Sequence, residues 1–205
     1  MTMTTEIVLS SPSEFISIAL LDPWLALDTE TTGKDIRSGE GYCVGISAAC
    51  KSNNVIHTAY FPVGHHEGNV DPEILSMLIG LIKSRDKLFM HNAKFDLISF
   101  ETAGIDLSGL KWYCTMRMAH MLNENLNMNQ YGLDWLARYE LKIPGKDKTH
   151  DFRPIWKMGL GHMIPVGEME EYAARDAGIL YLLFERLYPM FVKSGFDGSE
   201  VSEVR

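Results

Sequence analysis

Cysteine is scarce in this chain. Cys43, Cys50 and Cys114 are its only three, and no two are spaced as CxxC. An odd set with no close pair excludes a disulfide framework and a zinc knuckle, and fits a reducing cytoplasm. The first eleven residues lack a basic stretch followed by an apolar one, and no apolar run is long enough to span a bilayer. No membrane partner is expected. Positive charge is also short: 27 acidic residues against 19 Lys and Arg give a net charge of −8. That balance excludes a duplex binder driven by bulk electrostatics. No GxSxG, Walker A or dinucleotide fingerprint occurs.

What remains is a chain of 205 residues with the composition of an ordinary globular protein. It reads as one domain, residues 1–205, with a core over about 22–190 and a short polar tail. There is no internal repeat and no second-domain boundary. Trp24 to Asp28 reads as a buried strand. Tyr42 to Ala49 and Val55 to Phe61 read as two more, split by the turn residues Lys51 to Asn54. Asp71-Pro72-Glu73 starts a helix that runs to Ile82. Leu88 to His91 is a short fourth strand, and Asn92 is placed to cap the helix after it. Further helices are expected over Thr115–Leu122, Leu133–Glu140 and Glu168–Tyr188, with Lys142–Gly167 mostly loop. Strands first, then helix–strand–helix, predict an α/β fold. Its mixed sheet has three antiparallel strands and then parallel ones, flanked by helices, in the ribonuclease-H-like manner.

Four acids stand in three apolar contexts. Asp28 and Glu30 share a face if their strand continues, because strand side chains alternate. An Asp-x-Glu pair alone is common enough to be only a polar strand exit. Asp96 lies one helical turn after Asn92, on the same face; alone it reads also as a surface Asp beside a capping Asn, a reading that Phe95, Leu97 and Ile98 weaken. Asp176 falls on the apolar stripe of Met169, Ala173, Leu180, Leu183 and Leu187, so it faces the interior; alone it reads equally as a buried Asp hydrogen-bonded to a neighbouring backbone group or Arg. Tyr172, four residues earlier, is on the same side. A carboxylate in such a place is costly unless paired or holding a cation. Oxygen ligands without a Cys or His cluster point to Mg²⁺ or Mn²⁺ over Zn²⁺, and hence to phosphodiester chemistry.

Taken together, Leu27-Asp28-Thr29-Glu30-Thr31, His91-Asn92-Ala93-Lys94-Phe95-Asp96 and Tyr172-Ala173-Ala174-Arg175-Asp176 resemble the three motifs of DEDD-superfamily 3′→5′ exonucleases. Tyr-x-x-x-Asp marks the tyrosine subtype; the histidine subtype would have His where Glu171 stands. The chain is most similar to the proofreading domain of family A DNA polymerases, with Ala59 to His65 and Tyr131 to Ala137 extending the likeness over about Trp24 to Tyr188. The resemblance implies two divalent cations, Mg²⁺ or Mn²⁺, held by Asp28, Glu30, Asp96 and Asp176. It implies that Tyr172 orients the attacking water and that Thr29 and Asn92 contact substrate. It implies single-stranded DNA or frayed 3′ ends as partner, nucleoside 5′-monophosphates as products, and a replication-protein partner. RNA trimming in the manner of ribonuclease D, and a non-catalytic binding module, are the alternatives. The family's apolar wedge after the first motif is missing, since Thr32-Gly33-Lys34-Asp35 is polar. The family's polymerase domain is missing from these residues, so the chain is expected to be either a stand-alone enzyme such as phages carry, acting in the host cytoplasm if viral, or a domain excised from a larger protein; the start and the short tail favour the former. Lys142, Lys146, Lys148 and Arg153 form a locally basic segment that reads as a solvated loop or a phosphate contact. His65-His66 reads as a loop pair, and Trp112-Tyr113 as core or rim.

Overall fold

The structure, a computed structural model, describes residues 5–33, 35–144 and 151–197. One mixed sheet is built from β1 (Ile7–Leu9), β2 (Trp24–Thr31), β3 (Cys43–Ser52), β4 (Val55–Pro62), β5 (Lys87–Met90) and β6 (Trp112–Cys114), in spatial order β1-β4-β3-β2-β5-β6. β2, β3 and β4 pair antiparallel. β5 pairs parallel with β2 and β6, and β1 pairs parallel with β4. This is the mixed sheet expected.

Alternation along β2 divides the two faces. Leu25 and Leu27 join Phe15, Leu78 and Phe100 in a core under α1 (Pro12–Ala19), α2 (Pro72–Lys83) and α3 (Ala93–Thr102). Ala26 turns the other way and joins Ala49, Phe89, Leu180 and Phe184 under α4 (Thr115–Leu122) and α7 (Val166–Lys193). Phe184 stacks on Phe89 with centroids 4.0 Å apart and meets Trp24 edge-on at 5.3 Å. Burying each such ring contributes on the order of 1.5–3 kcal/mol. Asp28 and Glu30, two and four residues beyond Ala26, therefore belong to the α7 side.

The structure departs from the sequence reading in several places. β1, α1 and β6 were not expected: each is short, and the two strands have three residues apiece, too few to show a period. The helix at Leu133 is interrupted. α5 (Leu133–Leu136) passes into a π-helical turn over Ala137–Leu141 that ends on Lys142 at positive φ. The stretch taken as loop holds α6 (Arg153–Lys157), anchored by buried Phe152, and a 3₁₀ turn over Gly161–Met163. Pro154 supports that start, since the first helical turn needs no N–H from it. α7 begins at Val166 and continues past Pro189 to Lys193. Asn92 occupies the N-cap position of α3, but its side chain caps nothing; it turns the chain through a left-handed conformation (φ 61°). Asn tolerates that region better than most residues.

Candidate active site

The site forms where β2 outruns its neighbour. β2 pairs with β5 only over Trp24–Ala26, while its pairing with β3 continues to Thr31. Beyond Ala26 the β5 side of β2 is an open edge whose N–H groups need acceptors. α3 supplies one. Asp96 Oδ1 accepts the backbone N–H of Thr29 at 3.2 Å and the Thr29 hydroxyl at 2.9 Å. Residues 67 apart in sequence are thereby locked together at the carboxyl end of a central strand, where open α/β sheets take their ligands.

The second oxygen of Asp96 is buried and has no hydrogen-bond partner among the described residues. Burial foremost, and then the charge of Asp28, push this carboxyl well above the ordinary range, against the two bonds from Thr29. Asp28 is half-buried, and Glu30 is buried beside it along the same face. Two of these charges also reach Cys43, whose side chain packs in the core on the other side of the sheet. Burial raises its thiol to about 12, and the charges of Asp96 and Glu30 both add to that rise. The charge of Asp28 thus reaches Asp96, and those of Asp96 and Glu30 reach Cys43.

Asp176 is buried on α7, on the face that carries Ala173 and Leu180. Ala173 belongs to the cluster around Tyr60, and Leu180 to the cluster around Ala26 and Ala49. α7 packs on β2, β3 and β4, so the fourth acid is carried over the face that Asp28 and Glu30 occupy. Tyr172 is half-buried one turn earlier, its ring 5.5 Å from Phe152 and 5.6 Å from Trp156. Among the described residues no group of three or more His, Cys, Asp or Glu is placed so that it could hold a metal ion with the side chains as they stand. The oxygen-only donor set and the orphaned Asp96 oxygen fit a hard divalent cation.

The lesser candidates sort themselves. Thr29 spends its hydroxyl on Asp96. Asn92 is exposed at the start of α3. His91 Nδ1 donates to Thr115 Oγ1 at 2.9 Å, since that hydroxyl itself donates to the Met90 carbonyl, and so ties the second motif to α4. His65 is buried and His66 exposed, so they form no metal pair. Trp112 and Tyr113 are both buried in strand β6. Of the basic segment, Lys142 donates to the Tyr139 carbonyl and Arg153 pairs with Asp151 at 2.6 Å; Lys146 and Lys148 lie outside the described residues. Sequence reasoning missed the segment Trp156–Gly159, which closes a cavity of about 360 Å³ against Thr32, Gly33, Glu40 and Gly41, directly after the first motif. Its one signal was a tryptophan in a stretch otherwise rich in Gly, Pro and charge.

A family model described as 3′-5′ exonuclease matches residues 8–191. DNA polymerase I of Chloroflexus aurantiacus is 35% identical over 174 residues, which cover 80% of this chain and 17% of that protein. The chain thus spans less than a fifth of the length of that relative. Among solved structures, Brucella melitensis NrnC superposes with a TM-score of 0.65 at 16% identity, covering 96% of this chain and 87% of the other; with bound Mg²⁺ the TM-score is 0.61, at the same identity over 97% and 87%. Trypanosoma brucei RNase D in complex with RNA U12 superposes with a TM-score of 0.63 at 15% identity, covering 89% and 62%. At such identities the likeness is one of fold.

Proposed function

This chain belongs to the 3′-5′ exonuclease family, within the DEDD superfamily, and from that premise we propose that it is a metal-dependent exonuclease of the tyrosine subtype acting on DNA. It hydrolyses the terminal phosphodiester of single-stranded or frayed 3′ ends and releases nucleoside 5′-monophosphates. The observation that carries this reading is the Thr29–Asp96 lock, which holds a buried carboxylate with one free oxygen beside Asp28. The 35% identity to a DNA polymerase I supports DNA over RNA.

Asp28, Glu30, Asp96 and Asp176 would hold two divalent cations, Mg²⁺ or Mn²⁺. Such ions, when bound, supply positive charge for the attacking water and for the departing 3′-oxygen. The chain's own residues do the placing. Thr29 fixes Asp96 through two hydrogen bonds, so one carboxylate oxygen stays available. Tyr172 orients the incoming water with its hydroxyl, its ring wedged by Phe152 and Trp156. Asn92, exposed where β5 passes into α3, meets the substrate backbone. A replication protein is the natural partner of an enzyme trimming DNA 3′ ends.

The test is degradation of matched 5′-labelled DNA and RNA strands with Mg²⁺, Mn²⁺ or EDTA, beside Asp28→Ala. A ladder shortening from the 3′ end of DNA, lost in EDTA and in the variant, is the expected result. Preference for RNA would move the reading to 3′-end trimming of RNA. Cleavage of neither strand, with binding retained, would make the chain a non-catalytic module.

A further inference from the structure

We infer that Tyr60 and His65 are positioning residues for the carboxylate site. They form a relay that sets where the segment leading into α7 lies, and so where Tyr172 and Asp176 stand relative to Asp28 and Glu30. The inference rests on the functional reading above, but its geometry is independent of it.

Tyr60 lies on β4, is 1% exposed, and points to the α7 side of the sheet among Phe152, Ile164, Met169 and Ala173. Its ring fills the space over Gly45, where an added Cβ would meet the Tyr60 hydroxyl. Gly45 is the cross-strand partner of Glu30. The phenol therefore reaches across β3 to the level of the first motif, and after burial the charge of Glu30 is the largest influence raising its pKa.

From there the relay runs to α7. Tyr60 Oη and His65 Nε2 are 2.7 Å apart, and His65 Nδ1 is 3.1 Å from the Ile164 carbonyl. A carbonyl only accepts, so Nδ1 carries the proton, Nε2 is bare, and the Tyr60 hydroxyl donates to it. Two further bonds join the same loop to the same segment. His66 N–H donates to the His162 carbonyl at 3.0 Å, and Val166 N–H, at the first residue of α7, donates to Glu67 Oε2 at 2.9 Å. The opposite side is held by β2: Gly161 N–H donates to the Thr32 carbonyl at 2.9 Å, so close that a Cβ at 161 would overlap the Thr31 carbonyl. The leader of α7 is clamped between the exits of β2 and β4. Tyr172 and Asp176 follow Val166 by six and ten residues, about 9 and 15 Å along one helix. A shift of the leader is carried to both.

The experiment measures Mn²⁺ affinity by calorimetry, metal-free melting, and exonuclease kcat and KM, on wild type, Tyr60→Phe, His65→Asn and the double variant. Tyr60→Phe keeps the ring and removes only the donor. His65→Asn keeps a donor for Ile164 and loses the acceptor for Tyr60. Each single variant should lose about tenfold to a hundredfold in Mn²⁺ affinity or kcat, with KM for the oligonucleotide within about twofold. The double variant should be no worse than Tyr60→Phe, because both break one bond. Lower metal-free melting with unchanged Mn²⁺ affinity and kcat would overturn the inference, as would losses that multiply in the double variant. Mn²⁺ affinity is read without turnover. A wild type that binds Mn²⁺ and cleaves nothing sinks the exonuclease reading while affinity still judges the relay. A wild type that binds no Mn²⁺ overturns the relay as well.

Discussion

Asp96 shows how much a single contact decides. Its Oδ1 is held by the Thr29 hydroxyl and backbone, leaving Oδ2 buried with no hydrogen-bond partner among the described residues. Thr29→Val removes the hydroxyl and keeps the backbone bond and the shape. We expect kcat to fall about tenfold or more, on the scale of lost groups that orient metal ligands, with Thr29→Ser close to wild type. Equal losses in both variants, in steady-state rates on a 5′-labelled oligonucleotide, would show that the hydroxyl is not what matters. The acids themselves should be far less forgiving. Asp28→Ala or Asp176→Ala should abolish hydrolysis and leave the circular dichroism spectrum unchanged. Tyr172→Phe should slow the rate less severely, since the ring keeps its contacts with Phe152 and Trp156. Asp176 could be read from sequence because an acid on an apolar helical stripe breaks a local period. The Thr29–Asp96 lock could not, because nothing local reports a contact between residues 67 apart.

At the level of elements, the longest were legible, although length alone did not decide: four-residue β5 could be read and eight-residue α1 could not. α7, with 28 residues and a continuous apolar stripe, announced itself, as did the eight- to ten-residue strands β2, β3 and β4. β1 and β6 did not, for their three residues owe their strand form to β4 and β5 beside them. The turn into α6 was hidden for the same reason: Phe152 and Ile164 are buried by Tyr60 and Met169, which come from elsewhere in the chain. What holds α7 to the sheet is equally non-local. At the far end of β2 from the site, buried Asp22 accepts the Tyr181 hydroxyl at 2.7 Å, Lys51 N–H at 2.6 Å and Trp24 N–H at 3.0 Å. Tyr181→Phe removes the bond from α7 to that carboxylate. A hydrogen bond to a charged group contributes about 1.5–3 kcal/mol, so urea unfolding should show a loss of that size with kcat unchanged. A fall in kcat with no loss of stability would mean that this anchor reaches the site in some other way.

For the molecule as a whole, the site works against the fold that carries it. Asp96 has its carboxyl raised by burial and by Asp28, so the folded chain keeps a proton that an unfolded carboxyl releases near pH 3.9. Stability from this group is complete below that value and is lost as pH rises through the folded one. His65 has the opposite sign. Burial lowers its pKa, so its contribution is complete above about pH 6.5 and is lost as pH falls through the folded value. Metal-free protein should therefore melt lower at both ends of the range, for two separate reasons. On the proposed reading Mg²⁺ would favour the ionised acids and bind only the folded state, where they are brought together. At a hundred times its dissociation constant it adds about 2.7 kcal/mol and should remove the decline at high pH. Asp96→Asn should raise the melting temperature in EDTA at neutral pH and shrink the Mg²⁺ shift, while leaving the acid limb in place. Melting curves across pH, with EDTA and with Mg²⁺, check each part. If Asp96→Asn melts lower than wild type in EDTA, the carboxylate is a structural anchor, and the cost assigned to its ionised form is wrong.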